Sequence, residues 1–248
     1  VKSWRHNPVW KAFLVVWGLI SVCLTAIGVL VASIFLGPKR AFFTVAPLWV
    51  RQIFPLCGVK WSVRGWEDLP EEIRSGKQPV IFMSNHESHL DPPFLIHAIP
   101  IPAVYIAKKE VKWMPLVGWA AWAAGTIFID RGNREKSIRS LRRAAEEIRG
   151  GKNVLIFPEG TRTRNGQLGS FKKGGFNLAQ DAGVPIVPLA TVGGYRILPA
   201  DSLSPSPGRF DVLFGQPVRL EDFPNRDALL NEVRDRITAL REKAGQGH

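Results

Sequence analysis

The sequence predicts an α/β protein: a single mixed sheet flanked by helices, preceded by an N-terminal membrane-embedded helical segment. Three observations carry that expectation. Residues 12–38 contain no charged side chain. Beyond residue 58, short apolar runs recur, among them VIFM at 80–83 and VLIF at 154–157. Between these runs lie stretches in which apolar residues repeat at helical spacing. The expected organisation is an anchoring segment over residues 1–58 and one α/β domain over residues 59–248.

A helix over the uncharged run would reach roughly 40 Å at about 1.5 Å per residue, against ~30 Å of bilayer hydrocarbon. A cleaved signal peptide is the alternative, but its apolar core is usually about 7–15 residues, and here Lys39 and Arg40 follow the run. Gly37-Pro38 ends the helix, since proline cannot continue it. In the next stretch Arg40, Thr44 and Arg51 form a narrow polar stripe beside Phe42, Phe43, Leu48, Trp49, Ile53 and Phe54. Such a helix suits the interface plane of a membrane, with a kink expected at Pro47. Both flanks of the first helix are basic: Lys2, Arg5 and Lys11 before it, Lys39 and Arg40 after it. The positive-inside rule therefore gives no orientation for a single span. The expectation is a helical hairpin dipping into one leaflet of the cell membrane, with the following domain on the cytoplasmic side. A plain single span is the alternative.

From Val59 the pattern changes. Val59, Trp61 and Val63 alternate with Lys60, Ser62 and Arg64, which predicts a strand with one wet face. Further strands are expected at 80–83, 126–129, 154–157, 186–189 and 210–214. Pro188 lacks an amide donor and moves the end of its run towards a sheet edge or bulge. Ile138, Leu141, Ala145 and Ile148 predict a helix ended by Gly150-Gly151, and Leu230, Val233, Ile237 and Leu240 predict another. The apolar run at 113–122 is expected mainly as helix core.

The formal charge of +12 suits a nucleic acid, a phosphorylated substrate or an anionic membrane. With no RNA-binding aromatic signature or zinc finger, and an apolar N-terminus, anionic lipid is the expected partner and nucleic acid is not. The two cysteines, Cys23 and Cys57, suggest neither a disulfide framework nor a Cys-x-x-Cys metal site.

The stretch NHESHLD at 85–91 concentrates two histidines, a glutamate and an aspartate. His86 and Asp91 are five apart, about 140° around an ideal helix, so they can cooperate only from a loop. Strand 80–83 ending before Asn85, and Pro92 following Asp91, supply that loop and a helix start. One reading makes Asp91 an N-cap and His86 a hydrogen-bonded loop residue. A second makes His86, Glu87, His89 and Asp91 metal ligands, but no further Cys/His cluster completes a site, and no metal is expected. A third is a His-Asp dyad, in which the carboxylate fixes the imidazole tautomer and stabilises the protonated ring. No nucleophile elbow, Walker A loop or dinucleotide fingerprint accompanies it, so such a base would act directly on a bound acceptor.

Four ordered motifs carry a resemblance: HESHLD at 86–91, GTIFIDR at 125–131, FPEGTR at 157–162 and VPIVP at 184–188. Together they make the sequence similar to the glycerolipid acyltransferases typified by 1-acylglycerol-3-phosphate (lysophosphatidate) acyltransferase. The resemblance implies acyl transfer from acyl-CoA or acyl-carrier protein to the sn-2 hydroxyl of lysophosphatidate, with no cofactor beyond the thioester co-substrate. Carried over by position, His86 is the base and Asp91 its orienting partner. Arg131, Glu159, Gly160, Thr161 and Arg162 fall in the blocks assigned to the acceptor phosphate, and Lys108, or its neighbour Lys109, matches a further lysine. Glu159 is expected to orient Arg162 or to bind an acceptor hydroxyl, and the amides of Ile186 and Val187 are candidate oxyanion donors. Arg164, Lys172 and Lys173 fit a basic rim. The alternatives are a related enzyme acylating another lyso-lipid or glycerol 3-phosphate, and a non-catalytic membrane protein that binds anionic lipid.

Overall fold

The computed structural model describes residues 7–130, 132 and 134–245. Lys2, Arg5 and the expected phosphate ligand Arg131 lie outside the described residues.

Helix α1, Pro8–Leu36, starts with an Asn7 side chain accepting from the Val9 amide and Pro8 in the first turn. It is the one helix among the described residues long and apolar enough to cross a membrane. The chain turns at Gly37, whose φ of 77° a side chain would resist, and α2 follows at Pro38–Cys57. Trp49 Nε1 donates to Ser21 Oγ at 2.9 Å, and a Cβ at Gly28 would touch Val45, so the helices run antiparallel as a hairpin. Arg40, Thr44 and Arg51 are exposed, as their stripe predicts. The apolar side of α2, however, is covered largely by protein. Val50, Ile53, Phe54 and Cys57 are buried in the same core as Phe94 and Phe210. The change of pattern at residue 58 is thus a change of secondary structure within a shared core.

Seven strands form one sheet in the order β1-β7-β6-β2-β5-β3-β4. They are β1 Val59–Arg64, β2 Ile81–Ser84, β3 Ala103–Lys108, β4 Ile127–Ile129, β5 Asn153–Ile156, β6 Ile186–Val192 and β7 Gly208–Phe214. Neighbours are parallel except β6 and β7, so the sheet is mixed as predicted. β3 is not anticipated from sequence: its run is short of polar alternation and bracketed by Pro102 and two lysines. The helices after α2 are α3 Glu71–Arg74, α4 Asp91–Ala98, α5 Val117–Ala123, α6 Arg134–Arg149, α7 Gly174–Ala182, α8 Gly194–Ile197 and α9 Arg226–Gly245.

Strand alternation sends side chains to two cores. Phe82, Leu155, Val187 and Leu189 join α2 and α4 on one face. Ile81, Met83, Val154 and Ala190 join α6, α7 and α9 on the other, where Ala145, Ile148, Val233 and Ile237 are buried. Pro188 lies in an interior strand, which β7 leaves at this point. Gly215 N donates to Pro188 O and Ile186 pairs instead with Val218, so the missing donor faces a break in the ladder. The bulge reading holds; the edge reading does not.

The run at 113–122 departs from expectation. Trp113 is 78% exposed, and Trp119, Trp122 and Met114 are exposed as well. The small residues of α5 are what is buried: Ala120 packs with Ala26 and Val29 of α1, leaving the aromatic rings outward.

Phe54 stacks on Phe94 with centroids 5.0 Å apart and meets Trp61 and Phe210 edge-on at 5.7 and 5.8 Å. Phe54→Ala is expected to cost about 3–5 kcal/mol of stability. Denaturant unfolding of the full chain in detergent would show this as a lowered midpoint for the whole sheet domain; an unmoved midpoint would mean that α2 is energetically separate.

Candidate active site

The site forms at the carboxyl ends of β2, β5 and β6, where ligands of open parallel sheets commonly bind. Where β2 ends, Asn85 continues the pairing with its side chain: Nδ2 donates to Thr191 O and Oδ1 accepts from Thr191 N, both at 2.8 Å. The chain then folds over the carboxylate of Asp91. One oxygen, Oδ2, accepts from His86 Nδ1 at 2.7 Å, the Glu87 amide at 2.6 Å and the Ser88 amide at 2.8 Å. Asp91 is fully buried, and a Cβ at Gly194 would come within 2.9 Å of its other oxygen. The cap reading needs correction here. Asp91 is the first residue of α4, and its carboxylate binds the loop before it instead of the helix amides after it.

With Nδ1 engaged by Asp91, Nε2 is the ring nitrogen turned away from the carboxylate, and the His86 side chain is 16% exposed. Its ring lies flat on Phe157, centroids 3.9 Å apart and 12° between planes, and Phe157 stacks in turn on Tyr105. Tyr105 donates its hydroxyl to Pro92 O at 2.7 Å, and burial, with Asp91 adding to it, keeps the phenol well above its usual range. The His86 backbone is fixed as well: its N–H donates to Glu159 Oε1 at 2.8 Å, and its carbonyl accepts from Thr163 N at 2.9 Å.

Glu159 therefore does something other than expected. Its second oxygen accepts from Gly169 N at 2.7 Å, so both oxygens hold backbone amides and neither orients Arg162. Burial raises its carboxyl above the ordinary range, with the two amide bonds opposing that rise. Gly160 turns the chain at φ 72°, and a Cβ there would lie 2.9 Å from Lys172 Nζ, so its bareness admits a cation of the rim. Thr161 is exposed on this turn. Arg162 Nη1 contacts His89 Nε2. His89, a bystander in the sequence reading, is held below its usual pKa by burial and by the Arg162 charge, which keeps that nitrogen an acceptor. The ring thus steers the guanidinium.

Lys108 ends β3 in an exposed position. Lys109 pairs with Asp130 at 2.8 Å, and that contact raises the lysine and lowers the aspartate pKa. Lys173 is similarly engaged with Asp227. The fourth motif does not deliver the expected oxyanion donors. Ile186 N donates to Val218 O at 2.9 Å, and Val187 pairs with Phe82 inside the sheet, towards the opposite end of the strands from His86.

Of the four clustered ligand candidates, Glu87 points away from the others. It accepts from Asn85 Nδ2 at 3.3 Å, from Arg241 Nη2 at 3.0 Å and from Tyr195 N at 3.4 Å. Its carboxyl is pushed up to about 7, first by burial and then by the nearby Asp91, with Arg241 opposing. Tyr195 and Arg241 escaped the sequence reading because they lie 108 and 154 positions from Glu87 and carry no motif. An arginine on an amphipathic helix reads as a solvated charge.

The clamp by the two oxygens of Glu159 has a measurable consequence.

 Glu159→Gln sets an NH₂ group against one of two backbone N–H donors, leaving a buried donor unmet at a cost of about 1–3 kcal/mol. Turnover by this variant is expected to fall roughly tenfold to a hundredfold in steady-state assays. Wild-type turnover would show that the clamp does not hold His86 in register.

Residues 60–192, more than half of the chain, match the family model described as Acyltransferase. The mouse 1-acyl-sn-glycerol-3-phosphate acyltransferase alpha is 36% identical over 198 residues, covering 77% of this chain and 67% of that one. The Pseudomonas aeruginosa 1-acyl-sn-glycerol-3-phosphate acyltransferase is 32% identical over 187 residues, 75% of this chain and 69% of its own. The chain spans about half the length of the chloroplast relatives it matches, such as the Arabidopsis thaliana LPAT1, 33% identical over 195 residues, 78% of this chain and 52% of the relative. Among solved structures, the 1-acyl-sn-glycerophosphate (LPA) acyltransferase PlsC from Thermotoga maritima superposes with a TM-score of 0.82, at 23% identity, over 97% of this chain and 96% of that one. That likeness establishes the shared α/β fold. Since the family match spans the loops that hold His86, Asp91, Glu159 and Arg162, the chain belongs to the acyltransferase family.

Proposed function

We propose that the protein is a membrane-bound 1-acylglycerol-3-phosphate O-acyltransferase, moving a fatty acyl group from an acyl thioester to the sn-2 hydroxyl and giving phosphatidic acid. The observation that carries this reading is the His86-Asp91 pair, with Nε2 of His86 turned outward on the same rim as Arg162. The names of the relatives support the same acceptor.

In the proposed reaction, His86 Nε2 takes the hydroxyl proton as the acceptor oxygen attacks the thioester carbonyl. Asp91 stabilises the imidazolium that forms. As the tetrahedral intermediate collapses, the C–S bond breaks, and the proton passes from His86 to the departing thiolate. No acyl-enzyme is needed, because a thiolate is already a good leaving group, and no metal or cofactor enters this scheme. Arg162 holds the acceptor phosphate with its planar fork, while Lys108, Lys172 and Arg131 add positive charge around it. The donor is acyl-CoA or acyl-carrier protein.

The apolar outer surface of α1 and the net charge of +12 support seating on an anionic membrane, with the catalytic domain on the cytoplasmic side of the cell membrane. Seated so, the enzyme draws its lipid acceptor laterally from the leaflet.

Supplying acyl-CoA to the full chain in vesicles, against a panel of lyso-lipids and glycerol 3-phosphate, tests the reading. Phosphatidic acid from lysophosphatidate is expected; preference for a phosphate-free acceptor would overturn it. His86→Ala is expected to lose transfer by at least about a hundredfold while retaining fold and vesicle binding, and turnover at the wild-type rate would remove His86 from the base role. Arg162→Ala is expected to raise the acceptor KM about tenfold or more with little change in the thioester KM. Equal rises in both would remove Arg162 from the phosphate.

A further inference from the structure

Two loops must keep a fixed separation for this chemistry: the one that carries His86, and the one from 160 to 169 that carries Arg162. The second loop is largely exposed at Thr161, Arg164, Asn165 and Gln167. Two groups from distant parts of the chain touch both. Arg241 Nη2, on the C-terminal helix α9, donates to Glu87 Oε1 at 3.0 Å and to Gly166 O at 2.6 Å. Tyr195 of α8 runs parallel to it, with its amide donating to Glu87 Oε2 and its hydroxyl to Arg164 O. Glu87 in turn is one residue from His86, and its own amide is one of the donors held by Asp91.

We propose that Arg241 is a positioning residue for acyl transfer, a clip between the base loop and the phosphate loop that acts through Glu87 and the Gly166 carbonyl. The inference rests on the acyl-transfer reading above. A guanidinium suits the task, since it can serve two acceptors from one rigid plane. Its charge also answers an electrostatic difficulty. Glu87 is buried beside Asp91, and Arg241 opposes the upward push on its carboxyl, so loss of Arg241 favours the protonated, neutral acid over the carboxylate that Arg241 holds. The two contacts of Arg241 therefore have separable consequences. Loss of the Glu87 contact disturbs the base, and loss of the Gly166 contact loosens the phosphate loop.

The test uses the full chain in vesicles, with wild type, Arg241→Ala, Arg241→Lys, Glu87→Gln and the double variant Arg241→Ala/Glu87→Gln. Arg241→Ala is expected to lower kcat and raise the acceptor KM, each by roughly tenfold, since small misplacements of reacting groups are costly. Adding Glu87→Gln is expected to lower kcat little further, since the two side chains act as one unit and Glu87 without Arg241 already favours its neutral form, while the acceptor KM stays high. Independent, multiplicative losses of kcat in the single and double variants would overturn the proposal, because simple loss of packing by α9 acts separately from Glu87. Amide hydrogen exchange supplies a readout independent of turnover: faster exchange over 163–169 in Arg241→Ala is expected, and unchanged exchange there also overturns the clip. Should Arg241→Ala fail to fold, Arg241→Lys decides, with a raised acceptor KM supporting the clip and wild-type constants refuting it. Wild type that folds but transfers no acyl group to lysophosphatidate refutes the functional reading instead, and the exchange comparison still judges the clip.

Discussion

Three donors converge on one oxygen of Asp91, and the geometry of the site follows from that convergence. A fully buried carboxylate is costly unless its charge is met by hydrogen bonds, and here an imidazole N–H and two consecutive amides meet it. The amides of Glu87 and Ser88 can both point inward only if the chain wraps around the carboxylate. That wrapping brings His86 back over the start of α4 and fixes which ring nitrogen faces outward. The same interaction thus shapes the loop and selects the tautomer.

Around this centre the fold supplies braces from separate elements. β5 delivers Phe157, against which the imidazole lies flat, and Glu159, which holds the His86 amide. β6 delivers Thr191, locked to Asn85 by paired hydrogen bonds. α8 and α9 reach in from the end of the chain through Tyr195 and Arg241. Phe157 braces the ring face, Thr191 the Asn85 side chain, and the others backbone or a buried carboxylate, leaving Nε2 as the ring nitrogen that none of them engages. An imidazole held at so many points keeps its orientation without rearrangement, which is what preorganisation requires.

How much of this could be read from the sequence depended on distance along the chain. The dyad lay within one seven-residue window, and the five-residue step with Pro92 behind it already required a loop. The strands at 80–83 and 154–157 were legible because buried parallel strands are continuous apolar runs. The role of Glu159 was not legible. Its neighbour in sequence is Arg162, but the partner it actually holds is 73 positions away, brought close because β2 and β5 are adjacent in the sheet. Strand order is not a local property. The cap reading of Asp91 fails for a related reason, since its place at the helix start is visible in the sequence while its turn back towards the loop is not. The exposed tryptophans near α5 were misread because apolar content alone does not say whether a helix turns its large or its small residues inward.

Phe54 gives the N-terminal hairpin a meaning beyond attachment. A tether can be cut without harm to what it holds, but α2 contributes Val50, Ile53 and Phe54 to the layer that also contains Phe94 of α4. α4 begins at Asp91, so the ring that closes this layer and the carboxylate that binds the His86 imidazole are joined through one short helix. A water-soluble version made by removing the hairpin would uncover that layer and unsettle the helix beneath the catalytic loop. The apolar hairpin and the loop that holds His86 are, in this architecture, parts of one folded unit.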